Sequence, residues 1–189
     1  MSHKSSSLSD LASVASEKRW RGPAPVHLWD PPFCGDIDIE IHRDGSWWHE
    51  GRAIRRAGMA ELFASLLLYQ DGDYFLVTPA EKVRIKVEDC PFFANQLRVE
   101  SLGDKEKQAL YLKTSLGEEV LVDAEHPLDL ELGAAEGSEP HPVLMVRSGL
   151  KALIARSVYY ELANIAVSEL TPDGECLGVW SAGQFFRFE

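Results

Sequence analysis

Four residues in and just after one proline-rich stretch have side chains that could do chemistry. Cys34 lies two residues before Asp36 and four before Asp38, and His27 precedes all three. A cysteine activated by a nearby histidine is an arrangement used in nucleophilic catalysis, so this stretch suggests a hydrolase-type enzyme. A free cysteine among apolar residues is more often a small buried hydrophobic residue. We therefore predict no catalytic residue and keep a hydrolase using Cys34, Asp36 and Asp38 as an alternative.

Motifs of common enzyme and metal sites are missing from the sequence. It contains no C-x-x-C, H-E-x-x-H, G-x-S-x-G, Walker A or G-x-G-x-x-G. Asp36, Asp38 and Glu40 alternate along one predicted strand, where neighbours on one face are about 6.8 Å apart, too wide for all three to hold one cation. We predict no metal ion and no cofactor.

A second alternating segment, KVRIKVE, places Lys82, Arg84 and Lys86 on one face of another predicted strand. If this strand lies beside the one that carries Asp36, the opposite charges would form a ladder across the two strands. We favour this ladder over a cation site for the acidic residues.

The nine-residue pattern I-x-R-x-x-x-x-E-L occurs twice, as IRRAGMAEL at 54–62 and as IARSVYYEL at 154–162. Arg56 and Arg156 then lie at equivalent helix starts, where a guanidinium beside free N–H groups could bind a phosphate or carboxylate. The alternative is structural, with each arginine pairing with Glu61 or Glu161 and securing its helix. A feature present in both copies favours the structural alternative.

Aromatic residues are abundant beside the predicted strands, several in adjacent pairs, so that one ring of each pair must face outward. They could form an apolar pocket between two repeated units with an arginine at its mouth. Simple cover of exposed rings by the proline-rich stretch is the alternative. The predicted ligand-binding residues are Arg56, Arg156, Trp29, Phe33, Trp47, Trp48 and Tyr159.

Each copy of the repeated pattern begins a predicted helix between predicted strands. Met59, Leu62, Phe63, Leu66 and Leu67 form an apolar stripe, and Asp71-Gly72 is expected to stop the first helix. The second helix is expected to have Ser157 as its N-cap and to run to about Leu170 before Asp173-Gly174.

These elements predict an α+β fold of two repeated β-β-α-β-β units, with curved antiparallel sheets that each pack on one helix. The expected boundaries are a flexible N-terminal tail at 1–22, a first repeat subdomain at 23–100 and a second at 101–189. The two halves would share one core.

Composition limits the choice of partners and compartment. The formal net charge is -11, so nucleic acid and anionic membranes are poor partners. The segment 101–141 has ten acidic residues against three lysines, which accounts for -7 of that charge. Three cysteines in unrelated contexts, and an N-terminus without an apolar signal segment, predict a cytoplasmic protein.

Longer stretches resemble a known bacterial family, domain of unknown function 1285 (DUF1285). They are HLWDPPFCGDIDIEIHRDGSWWHEG, YFLVTPAEKVRIKVEDCPFF, GLKALIARSVYYEL and GVWSAGQFF. The resemblance implies an α+β fold of repeated motifs, with ligand binding or signal transduction as its suggested function. In that family a proline tends to follow the motif arginine, whereas Ala57 and Ser157 stand there in this chain. A proline at this position helps a helix to start but is dispensable.

We therefore expect a non-enzymatic module that binds a small molecule or a peptide segment in signalling or regulation. A hydrolase-type enzyme is one alternative. The other is a structural protein that uses its outward rings to form a homodimer.

Overall fold

The structure is a computed structural model that describes residues 22–130, 141–171 and 174–188. The predicted N-terminal tail, apart from Gly22, lies outside these residues. The chain divides into two compact units, Met1–Pro91 and Phe92–Glu189. No helix within the described part of the chain has the length and apolar character that crossing a membrane requires.

The first unit contains one six-stranded sheet and one helix. Its elements, after a 3₁₀ turn at Val26–Leu28, are β1 (Phe33–Ile41), β2 (Trp47–His49), β3 (Arg52–Ala53), α1 (Ala57–Ser65), β4 (Leu67–Gln70), β5 (Asp73–Val77) and β6 (Lys82–Val87). The strand order is β3-β2-β1-β6-β5-β4. Strands β1 and β6 are parallel, and the other neighbours are antiparallel.

One face of this sheet forms the core of the unit. Ile39 and Ile41 of β1 are fully buried, as the alternation in IDIEIH predicts. Trp47 pairs with Ile41 across β1 and β2, and its ring lies 6.2 Å from the ring of Phe63 in α1. The helix therefore covers the apolar face, and the charged residues of β1 and β6 occupy the opposite face.

The second unit contains a six-stranded sheet, a three-stranded sheet and one helix. Its elements are β7 (Phe92–Glu100), β8 (Ala109–Thr114), β9 (Glu119–Leu121), β10 (Leu128–Asp129), β11 (Val143–Arg147), β12 (Leu150–Ile154), α2 (Arg156–Asn164), β13 (Val167–Thr171), β14 (Gly174–Ser181) and β15 (Gln184–Arg187). The larger sheet has the order β10-β11-β12-β7-β8-β9, in which β12 and β7 are parallel, and the smaller has the order β13-β14-β15.

The structure confirms the α+β fold with two units, each pairing a six-stranded sheet with a helix. In both units a strand hairpin leads into a nine-residue helix, and a three-stranded antiparallel meander follows it. The meander joins the hairpin's sheet in the first unit, through β1 and β6, but is a separate sheet in the second. In the second unit the parallel partner of β12 is β7, which is not part of the meander.

Both helices are shorter than the sequence predicts. The first ends at Ser65 and the second at Asn164, so the prediction that the second runs to about Leu170 is wrong. Strands β4 and β13 begin shortly afterwards, and Asp71-Gly72 forms the turn between β4 and β5. Leu67 continues the helical stripe but pairs with Leu76 in the sheet. Over so few residues a helical stripe and a strand face look alike.

A smaller expectation also fails. Ala155, not Ser157, is the N-cap of α2, and no side chain caps that helix. The end of the proline-rich stretch forms the first residues of β1, a central strand. Proline at 31 and 32 is compatible with this, since both precede the first residue of the strand.

Candidate functional site

The charged face of the first unit carries one ion pair of the predicted ladder. Asp36 of β1 lies opposite Arg84 of β6, and two guanidinium nitrogens donate to its two carboxylate oxygens at 2.8 and 3.2 Å. Arg84 also donates to Asp73 at 3.2 Å. The hydrogen bonds from Arg84 lower the pKa of Asp36 below its ordinary value. The two lysines of the same segment have different partners. Lys82 donates to Gln70, and Lys86 lies opposite Glu40 in the strand register.

A groove of about 550 Å³ runs along this face and contains the Arg84 network together with Tyr74 and Glu88. Burial raises the pKa of the Tyr74 phenol to about 12. Arg84 is already held by two carboxylates, so a bound anion would gain little from its guanidinium.

The predicted ring residues of the first unit have different surroundings. Phe33 is 56% exposed and packs edge-on against Phe75, whereas Trp47 is 2% exposed and lies in the core. Trp48 is half-buried, and its indole N–H donates to Ser46 at 2.9 Å. Trp29 is also half-buried, after the 3₁₀ turn. As neighbours on β2, Trp47 and Trp48 face opposite sides of the sheet, so among the described residues the four rings do not share one wall.

The two predicted arginines lie at helix starts, as expected from the repeated pattern. Arg56 is the N-cap of α1 and Arg156 is the first residue of α2, and both are exposed. Among the described residues, Arg56 forms no ion pair with Glu61. Tyr159, on α2, is half-buried, with its ring 5.7 Å from the ring of Phe188.

Cys34 is exposed in β1, and its thiol lies 3.4 Å from the carbonyl oxygen of Pro32. Asp36 is bound by Arg84, as described above. One of the two carboxylates that the hydrolase alternative would use is therefore held in an ion pair.

A compact pocket lies in the second unit, between the loop before β8 and the start of β13. Its volume is about 340 Å³. Trp180 of β14 forms one wall, and the end of α2 and the loop form the others. Its lining includes Leu102, Lys105, Asn164, Ile165, Val167 and Trp180. We call this the Trp180 pocket.

Two charged residues hold the Trp180 ring in place. Its indole N–H donates to the Glu169 carboxylate at 3.1 Å, and Glu169 also pairs with Lys105. The ammonium of Lys105 lies 5.4 Å from the centre of the Trp180 ring, within the range of a cation–π contact. The Glu169 carboxylate accepts hydrogen bonds from Lys105 and from the indole N–H. Both lower its pKa, and the bond from Lys105 has the larger effect. The Trp180 ring is therefore held in one position in the pocket. The ion pair of Lys105 and Glu169 lies beside it and carries no net charge.

Gln108, which is 5% exposed, holds two walls of the Trp180 pocket together through hydrogen bonds. Its side-chain amide donates to the Trp180 carbonyl at 2.7 Å and accepts from the Gly103 N–H at 2.8 Å. These bonds attach the loop at 101–107 to β14. On the other side, the ring of Phe185 lies 5.4 Å from that of Trp180.

The sequence predicts neither Lys105 nor Gln108 as part of a site. They lie in SLGDKEKQ, whose composition is typical of a solvated acidic connection. The only signal in that segment is Leu102, an apolar residue in a polar turn. In the structure Leu102 is 63% exposed.

Comparisons with known proteins agree over nearly the whole chain. Residues 24–90 match the N-terminal domain of DUF1285, a domain of unknown function, and residues 91–188 match its C-terminal domain. A crystal structure of a DUF1285 family protein from Silicibacter pomeroyi DSS-3 is similar, with 41% identity and a TM-score of 0.81, covering 94% of this chain and 93% of that one.

A second crystal structure, of a DUF1285 family protein from Shewanella baltica OS155, is 30% identical with a TM-score of 0.52. The match covers 68% of this chain and 92% of that one. No curated protein matches the chain. With both domain matches and a 41% identical relative along almost its full length, the chain belongs to the DUF1285 family.

Proposed function

We propose that this protein is a non-enzymatic module that binds a small molecule in the Trp180 pocket, in a signalling or regulatory setting. The observation that carries the proposal is a concave, mainly apolar pocket around a ring that is held from its edge. Ligand sites of small molecules combine an apolar lining with a few placed polar groups. The volume of about 340 Å³ suits a compact ligand.

The chemistry of the walls indicates the class of ligand. Leu102, Ile165 and Val167 offer apolar contact beside the Trp180 indole. A flat or aromatic group would stack on that ring, as aromatic pairs prefer offset or edge contacts. Lys105 and Asn164 stand at the polar side, so we expect a ligand with an oxygen acceptor at one edge. A peptide would bind through one aromatic or apolar side chain.

A thermal-shift screen of aromatic metabolites and nucleosides tests this proposal. A compound that binds the folded state raises the melting temperature as its concentration rises. Trp180→Leu should remove that response and Lys105→Ala should weaken it, with both variants still folded by circular dichroism. Trp48→Leu, in the first unit, is the matched control and should respond as the wild type does. If no compound raises the melting temperature, or if Trp180→Leu responds like the wild type, the proposal is wrong.

One observation favours an interface between copies as a second candidate function. Leu170 of the edge strand β13 is 87% exposed, and Leu177 of the neighbouring β14 is 49% exposed. Unpaired edge strands with exposed apolar side chains invite pairing with another chain. Sedimentation velocity should then show a dimer that Leu170→Lys dissociates. A monomer at every concentration would exclude this candidate.

A further inference from the structure

Strands β1 and β6 form the only parallel pair in the sheet of the first unit, as far as the described residues go. Both strands end together, because Ile41 pairs with Val87. His42 directly follows β1, and Glu88 directly follows β6. The Glu88 N–H donates to the Ile41 carbonyl at 2.9 Å. The fold therefore brings an imidazole and a carboxylate together at the carboxyl ends of two adjacent strands.

A third side chain reaches the same place from β1. Glu40 lies on the charged face, and one of its oxygens is 3.7 Å from Nε2 of His42. One atom from each of Glu40, His42 and Glu88 lies within 4.8 Å of the others. Ligands around a tetrahedral zinc ion are about 3.4 Å apart, given metal–ligand bonds near 2.0–2.1 Å. Small rotations of the three side chains would bring their ligand atoms to that separation.

Neighbouring groups orient two of these three side chains. The His42 ring stacks on the Trp48 ring, with centres 5.0 Å apart and planes 12° apart. One oxygen of Glu88 accepts the Arg43 N–H at 2.8 Å, which leaves the other free to bind a cation. Groups that fix the direction of metal ligands in this way are a regular part of metal sites.

The ion pairs around the cluster leave two of its carboxylates without a cationic partner, although Lys86 lies opposite Glu40 in register. Asp36 and Asp73 nearby share Arg84, and Asp89 pairs with Arg43. In contrast, neither Glu40 nor Glu88 forms an ion pair with a lysine or arginine of the described chain. Two carboxylates left without such a partner at one point of the surface gain by binding a divalent ion.

We infer that Glu40, His42 and Glu88 bind one divalent transition-metal ion, of which Zn²⁺ is the best fit. An imidazole ligand favours zinc and its neighbours over Mg²⁺ and Ca²⁺, which prefer oxygen ligands alone. Three protein ligands leave a coordination position for water or for a group in the adjacent groove. This site is in the first unit and does not depend on the ligand of the Trp180 pocket. It departs from the expectation of no metal, which rested on the missing metal-binding motifs, the scattered histidines and the wide spacing of Asp36, Asp38 and Glu40 along one strand.

Isothermal titration of chelator-treated protein with ZnCl₂ tests the site. We expect one equivalent of zinc to bind and excess MgCl₂ not to compete. His42→Gln and Glu88→Gln should each weaken binding at least about tenfold. The matched control is His27→Gln, because His27 is an exposed histidine on the 3₁₀ turn and outside the cluster. Its affinity for zinc should equal that of the wild type.

Cobalt provides a second, spectroscopic readout. Co²⁺ added to the wild type should give visible absorption bands that are missing with His42→Gln, while circular dichroism shows that the variant is folded. The inference is overturned if the wild type takes up no zinc at concentrations up to about 100 µM. It is equally overturned if both cluster variants bind zinc as tightly as the wild type.

Discussion

Arg84 binds the carboxylate of Asp36 with two nitrogens across the parallel strands β1 and β6. The two residues are 48 positions apart in the chain. The same guanidinium reaches Asp73 of β5, so that one side chain links three adjacent strands. Paired in this way, the pKa of Arg84 is raised and that of Asp36 is lowered.

The first prediction concerns the pH dependence of this pair. Asp36 has a lower pKa in the folded chain than its ordinary value of 3.8, so its carboxylate stabilises the fold above that pH. The contribution is lost as pH falls through the lower, folded value. Asp36→Asn should therefore lower the melting temperature at pH 7 by a few degrees at most, since the pair is exposed. The difference should shrink as the pH falls below 3.8 and vanish once the carboxyl of the folded chain is protonated.

Asp38→Asn is the matched control for this measurement. Asp38 is an exposed aspartate on the same strand, and no lysine or arginine of the described residues pairs with it. Its substitution should leave the melting temperature within about 1 °C of the wild type at both pH values. An equal loss in the two variants would show that general charge, not the pair with Arg84, sets the pH dependence.

The strands and their faces could be predicted because alternation is a local property. IDIEIH and KVRIKV each show which residues face the core, and the opposite charges on their outer faces favour their pairing. The helix ends could not be predicted, because Leu66 and Leu67 continue the apolar stripe past Ser65. The choice between helix and strand at Leu67 depends on its distant partner, Leu76.

The candidate sites were harder to predict than the fold. Lys105 meets Trp180 through a contact that spans 75 residues, and no local pattern marks it. His42 and Glu88 meet only because two strands end in register. The sequence does show strand ends at both residues, but it does not show that the two strands run parallel and end in register.

The second prediction concerns Gly178, which lies under the ring of Phe185. A Cβ at this position would lie 2.4 Å from the Phe186 carbonyl oxygen and 2.6 Å from the Phe185 ring. Because the first of these atoms belongs to the backbone, the strand must shift. Gly178→Ala should destabilise the protein by about 1–3 kcal/mol in urea unfolding.

Gly58 provides the matched control for that substitution. It lies within α1 and is exposed, and a Cβ added to it would meet no atom within 4 Å. Alanine is the better helix former, so Gly58→Ala should stabilise the protein by about 0.5–1 kcal/mol. Opposite signs for the two Gly→Ala changes are expected, and a stable Gly178→Ala variant would contradict the packing of Phe185.

The third prediction concerns Ser181, a fully buried hydroxyl that joins the two sheets of the second unit. It donates to the Val122 carbonyl at 2.6 Å and accepts the Leu110 N–H at 3.0 Å. Ser181→Ala leaves that N–H without its acceptor in a buried place, which should cost about 1–3 kcal/mol in urea unfolding. Ser168→Ala is the control, because its exposed hydroxyl bonds to Glu175 at the surface. That change should stay within about 0.5 kcal/mol. If both serine variants were equally stable, the hydroxyl bridge between the sheets would contribute nothing to the stability of the second unit.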